Sequence, residues 1–318
     1  MDHFSSLVRA RFVRVFVLAL ALAGLVAACG DDDDATEDPS AESSSAPESS
    51  GDDDAVVDYD EALAAEVVAN YSAGVEASYQ AALDSATIMD EAVDAFVADP
   101  TEGTLQAAKD AWLAARDDYG LTEAFRFYGG PIDDDDGPEG LLNAWPMDEA
   151  YVDYVEGDPD AGIINNAEEY PTIDAELLVS LNEEGGEANI STGYHAVEFL
   201  LWGQDLSADG AGARPVSDYT DADSAARRGT YLATASDLIL EHLGAMVDAW
   251  APESDNYRAG FAEPLDDAVR NLLYSTAQLA GFEVAGERMT VALVAFSQEG
   301  EHACFSDNTP NDIVANVA

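Results

Sequence analysis

Apolar residues in this chain recur at helical spacing, and runs that alternate with period two are nearly absent. Leu63, Val67, Tyr71, Val75, Tyr79 and Leu83 form a stripe along residues 60–98, which read as one long helix or a broken pair ended by Asp99-Pro100. Residues 104–127 read as the next helix. A Gly, Pro and Asp loop follows over 128–143, and 144–154 opens on Trp145-Pro146. Helices are then expected through 173–181, 189–203, 222–249 and 265–296, separated by Gly-rich and Asp-rich loops. The pattern predicts an all-α protein. Its folded part is large enough for one domain or two packed halves.

Two helices carry chemistry where a core would carry leucines. Residues 189–203 have candidate caps at Asn189, Ser191 and Thr192 and a stop at Gly203. Ile190, Tyr194, Val197 and Leu201 fall on one side and Phe199 and Leu200 on another, so the helix is apolar nearly all round and is expected to be buried. It nevertheless contains His195 and Glu198, three apart on one face, with Trp202 a turn further on. A buried carboxylate needs a partner. A metal ion would serve, since helical bundles build metal sites from inward carboxylates and a Glu and His three apart. A buried hydrogen bond or a salt bridge to an arginine would serve as well, and spacing alone leaves both open. A zinc-protease helix of the HExxH kind is excluded, because Phe199 stands where the second histidine belongs.

The second case is the seam Trp112, Arg116, Tyr119, Glu123 and Arg126, at spacings of four, three, four and three. It predicts a polar site facing a partner helix; the alternative is a salt-bridge ladder on a solvent face. Tyr119 to Glu123 and Tyr194 to Glu198 share a spacing, and each pair precedes a Gly and Asp loop. That hints at an internal duplication, with a dividing line near residue 186.

The N-terminus changes the picture from a bundle to an exported bundle. Arg9, Arg11 and Arg14 precede an apolar run over 15–26, and Val26-Ala-Ala-Cys29 looks like a bacterial lipobox. Residues 1–28 are therefore read as a lipoprotein signal peptide and Cys29 as the lipidated residue; a simple secretory peptide cut near Ala28 is the alternative. Residues 29–58, rich in Asp, Ser, Pro and Glu, are read as a disordered acidic tether. The whole chain has 12 basic and 65 acidic residues, a formal net charge of −53. Removing the leader's three arginines and Asp2 leaves nine basic and 64 acidic residues, with Lys109 the only lysine. Such a surface repels nucleic acid and anionic membranes, so neither is expected as a binding partner beyond the lipid anchor itself. Adaptation to a saline habitat explains the charge without any metal. With Cys29 lipidated, Cys304 has no cysteine to pair with and is expected to be an inert thiol.

Gly193-Tyr-His195-Ala-Val-Glu198 matches the GxHxxE signature of the imelysin family, and Phe199-Leu-Leu-Trp-Gly-Gln-Asp-Leu206 resembles its continuation. Phe125-Arg-Phe-Tyr-Gly-Gly-Pro-Ile-Asp133, Asn143-Ala-Trp-Pro-Met-Asp-Glu-Ala-Tyr151 and Gln298-Glu-Gly-Glu-His-Ala-Cys-Phe-Ser-Asp-Asn-Thr309 resemble further family motifs, in the right order. Pro310 departs from the pattern, which often has a histidine after Asn-Thr. The resemblance is to iron-regulated, imelysin-like bacterial lipoproteins, and it implies two pseudo-related four-helix-bundle-like halves, about 59–186 and 187–318. It also implies a metal site at their junction, with His195, Glu198 and Glu123 as ligands. Gly193, Arg116, Tyr119, Arg126, Asp133, Asp148 and Trp202 would line or support that site. The metal implied is iron, and zinc or manganese also suits imidazole with carboxylates. The expected function is metal binding for iron acquisition at the cell envelope, with iron-uptake proteins as partners. A metallopeptidase, the activity that named the family, is the alternative, and a helical scaffold without metal a third.

Overall fold

Nine buried residues on the first helix set the architecture. The structure, a computed structural model, describes residues 59–206, 210–252, 255–290 and 305–306. The expected signal peptide, the expected lipidation site Cys29 and the expected tether, with Glu299, Glu301, His302 and Cys304, lie outside them. Helix α1 (Glu61–Ala98) is unbroken, with the Asp60 side chain accepting from the Ala62 and Leu63 amides at its start. Its buried positions are Val68, Ser72, Val75, Tyr79, Ala82, Ala86, Met89, Val93 and Phe96, at alternating spacings of four and three. That spacing keeps one straight seam facing inward. The stripe read from the sequence instead steps by four throughout, and each such step overshoots a turn by about 40°. Its first members, Leu63 and Val67, are accordingly exposed. Small residues on the true seam (Ser72, Ala82, Ala86) escaped notice because they carry little apolar signal.

Helices α2 (Glu102–Gly120) and α9 (Ala225–Trp250) pack along α1. Thr101 and Thr104 close a capping box at the start of α2. A 3₁₀ turn, Leu121–Phe125, continues α2 toward the loop. Between α2 and α9 run six shorter helices: α3 (Glu139–Leu142), α4 (Glu149–Val152), α5 (Gly162–Asn165), α6 (Ala175–Leu181), α7 (Gly193–Trp202) and α8 (Ser217–Thr220). Helices α10 (Tyr257–Phe261) and α11 (Leu265–Gln278) follow α9, and backbone bonding then shifts to a π-helical pattern over Leu279–Met289. The helix expected over 265–296 thus changes its winding part-way.

Helix α7 packs against α2, α3 and α9 and is the most enclosed element, with all ten residues buried. Residues 57–318 form one compact unit, in which α1 and α9 meet along their lengths across the expected dividing line. Among the described residues there is no strand beyond an isolated bridge between Val155 and Asp158, and the protein is all-α. No described helix is long and apolar enough to cross a membrane.

The seam of α1 makes a direct prediction. Ala82→Leu inserts three extra carbons where there is no free surface and is expected to cost about 1–3 kcal/mol. Leu63→Ala, on the exposed stripe, is expected to stay within about 0.5 kcal/mol. Urea unfolding of the two variants measures both.

Candidate functional site

Helix α7 starts where its backbone is pressed against α3. Gly193 has φ +83°, and a Cβ there would lie 2.5 Å from the Leu142 carbonyl oxygen, so only glycine fits. The residues read as caps do other work. Thr192 Oγ1 donates to the Leu141 carbonyl at 3.0 Å, Ser191 Oγ to the Leu178 carbonyl at 2.7 Å, and Asn189 Nδ2 to the Glu184 carbonyl at 2.6 Å. These bonds fasten the approach to α7 onto α3, α6 and the loop behind them. Tyr231 of α9 adds a 2.7 Å bond to the Ser191 carbonyl. At the far end the Gly203 amide donates to the Phe199 carbonyl at 2.7 Å, with φ +73°.

His195 and Glu198 are fixed between these ends. His195 Nδ1 lies 3.2 Å from Glu198 Oε2, with both side chains buried. The other carboxylate oxygen accepts from the Ser306 amide at 2.9 Å and from Ser306 Oγ at 2.8 Å. With Glu198 ionised, this arrangement assigns the imidazole proton to Nδ1 and leaves Nε2 as the lone-pair nitrogen. No described residue hydrogen-bonds to Nε2. The Trp145 ring packs on the imidazole at a centroid distance of 4.8 Å. Phe305 lies against Trp145 and Phe199, and its carbonyl accepts from the Gly212 amide at 2.8 Å. The pair therefore sits under an aromatic cover, with both oxygens of Glu198 hydrogen-bonded.

The α2 seam is buried rather than solvated. Arg116 is 2% exposed and Glu123 fully enclosed. Arg116 Nη2 stands 4.0 Å from Glu123 Oε1, which also takes a 3.5 Å contact from Asn143 Nδ2. The Arg116 guanidinium lies over the rings of Tyr119 and Tyr194, at 5.4 and 5.7 Å, and those two rings are 4.9 Å apart. The tyrosines of the suspected duplication thus meet, with their ring planes tilted by 39°. Trp112 Nε1 donates to the Tyr194 carbonyl at 2.9 Å, and the Trp112 ring contacts Trp202 edge-on. Arg126 pairs with Glu139 at 3.0 Å. Burial works against the Arg126 charge, yet Glu139 and Glu123 raise its pKa above the ordinary value; burial raises Glu139 as well, against the pull of Arg126.

The expected ligands divide accordingly. His195 and Glu198 are together, whereas Glu123 is engaged by Arg116 and Asn143. Asp133 spends its carboxylate on the Phe127 and Gly130 amides and closes the loop between them. Exposed Asp148 caps α4 through the Ala150 amide at 3.0 Å. Among the described residues, no group of three or more His, Cys, Asp or Glu side chains is gathered so as to hold a metal ion. An imidazole with a free nitrogen and an orienting carboxylate fits part of a metal centre, and the described residues do not complete one.

A second buried polar centre was not anticipated from the sequence. Fully enclosed Asp153 accepts from Arg228 Nε at 2.6 Å and Nη2 at 2.8 Å, from Arg214 Nη1 at 2.7 Å, and from Asn165 Nδ2 at 3.1 Å. Arg214 also reaches the Phe199 carbonyl of α7 at 3.3 Å and Asp218 at 3.2 Å, and Tyr154 OH donates to Asp218 at 2.6 Å. Arg228 Nη1 donates to the Asp218 carbonyl at 2.6 Å. The network ties α4, α7, α8 and α9 together. Burial alone would raise the Asp153 pKa, but the Arg228 hydrogen bonds and the Arg214 charge outweigh it and hold the carboxyl below the ordinary range. The available signal was scarcity: with so few basic residues in the chain, each arginine flanked by apolar sequence had a claim to an internal partner.

The sequence profile of the imelysin family matches residues 75–318. The chain belongs to the imelysin family. Over 71 residues it is 38% identical to iron-regulated protein A of Synechococcus elongatus, a stretch that is 22% of this chain and only 19% of that protein. Two solved structures share the fold. One is described as an iron-regulated protein A precursor from Parabacteroides distasonis (TM-score 0.59, 18% identity, 82% of this chain and 74% of that one). The other is an imelysin-like protein from Psychrobacter arcticus (TM-score 0.57, 14% identity, 82% and 73%). At these identities the likeness speaks for the imelysin fold alone.

Asp153→Asn leaves two buried guanidinium groups short of a counter-charge and is expected to destabilise this imelysin-family protein by about 3–5 kcal/mol. Because the folded-state pKa is depressed, the stabilisation is present above the unfolded value near 3.9 and lost as pH falls through the lower folded value. Thermal melts of parent and variant are therefore expected to differ most between pH 5 and 8 and to converge only as pH falls from about 3.9 through the lower folded value.

Proposed function

We propose that this protein is an imelysin-family metal-binding protein of the bacterial cell envelope that takes iron as its cargo, with His195 Nε2 as the donor the described fold supplies. The observation that carries the reading is the buried His195–Glu198 pair. A metal-ligating histidine characteristically gives its second N–H to a carboxylate, which fixes the tautomer and raises the basicity of the ligating nitrogen. Glu198 holds Nδ1 in that way and is itself held by Ser306. The proposal therefore gives Glu198 the part of orienting the imidazole, where the family resemblance had implied a ligand. The name of the Synechococcus relative supports iron over zinc or manganese, and the signal-peptide and lipobox motif at Val26-Ala-Ala-Cys29 supports the envelope.

The peptidase reading requires a metal-bound water with a general base beside it. Glu198 is the carboxylate nearest to hand by sequence motif, and all its described bonds go to His195 and Ser306. Binding without turnover is the reading this geometry favours.

The test is metal titration of the chain purified without a histidine tag, at high salt to screen the acidic surface. Near-stoichiometric iron binding is expected, lost in His195→Ala. Glu198→Gln keeps a carbonyl acceptor for Nδ1–H but removes the charge, and is expected to weaken binding by about 10–100-fold. Equal weak binding by parent and both variants would overturn the metal reading. Metal-dependent cleavage of a peptide library, abolished in Glu198→Gln, would establish the peptidase instead.

A further inference from the structure

Beyond the C-terminal end of α7 lies a cavity of about 390 Å³, within the size range of small-molecule sites. Tyr154, Trp202, Gly203, Leu206, Gly212 and Arg214 are among the residues that form it. Its polar feature is Arg214. That side chain is 1% exposed; Nη1 and Nη2 are taken by Asp153, Asp218 and the Phe199 carbonyl, but the buried Nε has no acceptor among the described residues. Buried guanidinium donors are costly to leave unmade. Gly203 leaves room beside this donor. A Cβ there would stand 3.6 Å from Nε and 3.2 Å from the Arg214 Cβ, filling the approach.

The second cation nearby is Lys109, the chain's only lysine, whose Nζ lies over the Trp202 ring at 5.2 Å. Burial lowers the pKa of this ammonium, and the charge of Arg214 adds to that effect against Glu102. In a chain of net charge −53, this cavity has a guanidinium in its lining and an ammonium over its Trp202 wall. The lining includes one carboxylate, exposed Glu156.

From the unpartnered Arg214 Nε in this cavity, and Lys109 beside its Trp202 wall, we infer that the cavity is a binding site for a small carboxylate with a planar, apolar body. The carboxylate accepts the Nε–H, and the body lies between Tyr154 and Trp202. Nothing in this site depends on a metal at His195.

The experiment is an NMR-detected titration of the full chain, in chelator-treated buffer, with benzoate and its neutral isostere benzamide, following the Trp202 indole and Gly212 amide signals. Saturable shifts with benzoate, at least tenfold weaker with benzamide, are expected. The charge series then has a required order. Lys109→Met and Leu206→Asp are each expected to weaken benzoate about threefold, and Glu156→Gln to tighten it by a similar factor. All three are surface or half-buried changes that leave the Asp153 network intact. The combined His195→Ala, Glu198→Gln variant is expected to bind benzoate like the parent, so failure of the metal reading and failure of this site are read separately. Equal shifts with benzamide, no saturable shift, or charge variants that leave affinity unmoved would overturn the proposal.

Discussion

Every charge buried in this protein has to find its counter-charge inside the fold, and basic partners are scarce. With 12 basic residues against 65 acidic ones, most carboxylates have no cation to pair with and are left to water. The few arginines that go inside therefore decide which carboxylates can follow. Asp153 is enclosed because Arg214 and Arg228 enclose it, and Glu123 because Arg116 stands beside it. Glu198 is the exception. No salt bridge from an arginine serves it among the described residues, and it relies on an imidazole and on the amide and hydroxyl of Ser306. A carboxylate held by such partners is the one whose surroundings point to chemistry.

Much of this was legible in the sequence, to different depths. The helices were, because their apolar spacing and their Gly and Pro stops are local signals. The burial of α7 was, since only an enclosed helix is apolar on every side. The phase of α1 was not: Ser72, Ala82 and Ala86 define its seam by being small, and a hydrophobicity pattern gives smallness no weight. The one-turn helices α3, α4 and α5 were not either, as four residues carry no period.

The site shows the same division. His195, Glu198 and their shared face follow from a three-residue spacing, which any helix enforces. What each carboxylate bonds to does not. Glu123 and Glu198 look equivalent along the chain, yet one meets a guanidinium and the other an imidazole, because the partners arrive from different elements. Asp133 and Asp148 stood in family-like motifs, and both turned out to serve their own local backbone. Asp153, the most heavily bonded carboxylate among the described residues, stands in no pattern that spacing could reveal.

The bonds from Ser306 to Glu198 span 108 residues of chain. They set an order in time. A chain emerging from synthesis presents α7 long before Ser306 exists, so for that interval Glu198 lacks two of its hydrogen bonds and the Phe305 ring is missing from the cover over His195. The pair can be raised in its helix early, but it is locked only once residues 305 and 306 have appeared. Competence at this centre is thus tied to synthesis through residue 306, and a chain that stops short of it carries the motif without the geometry.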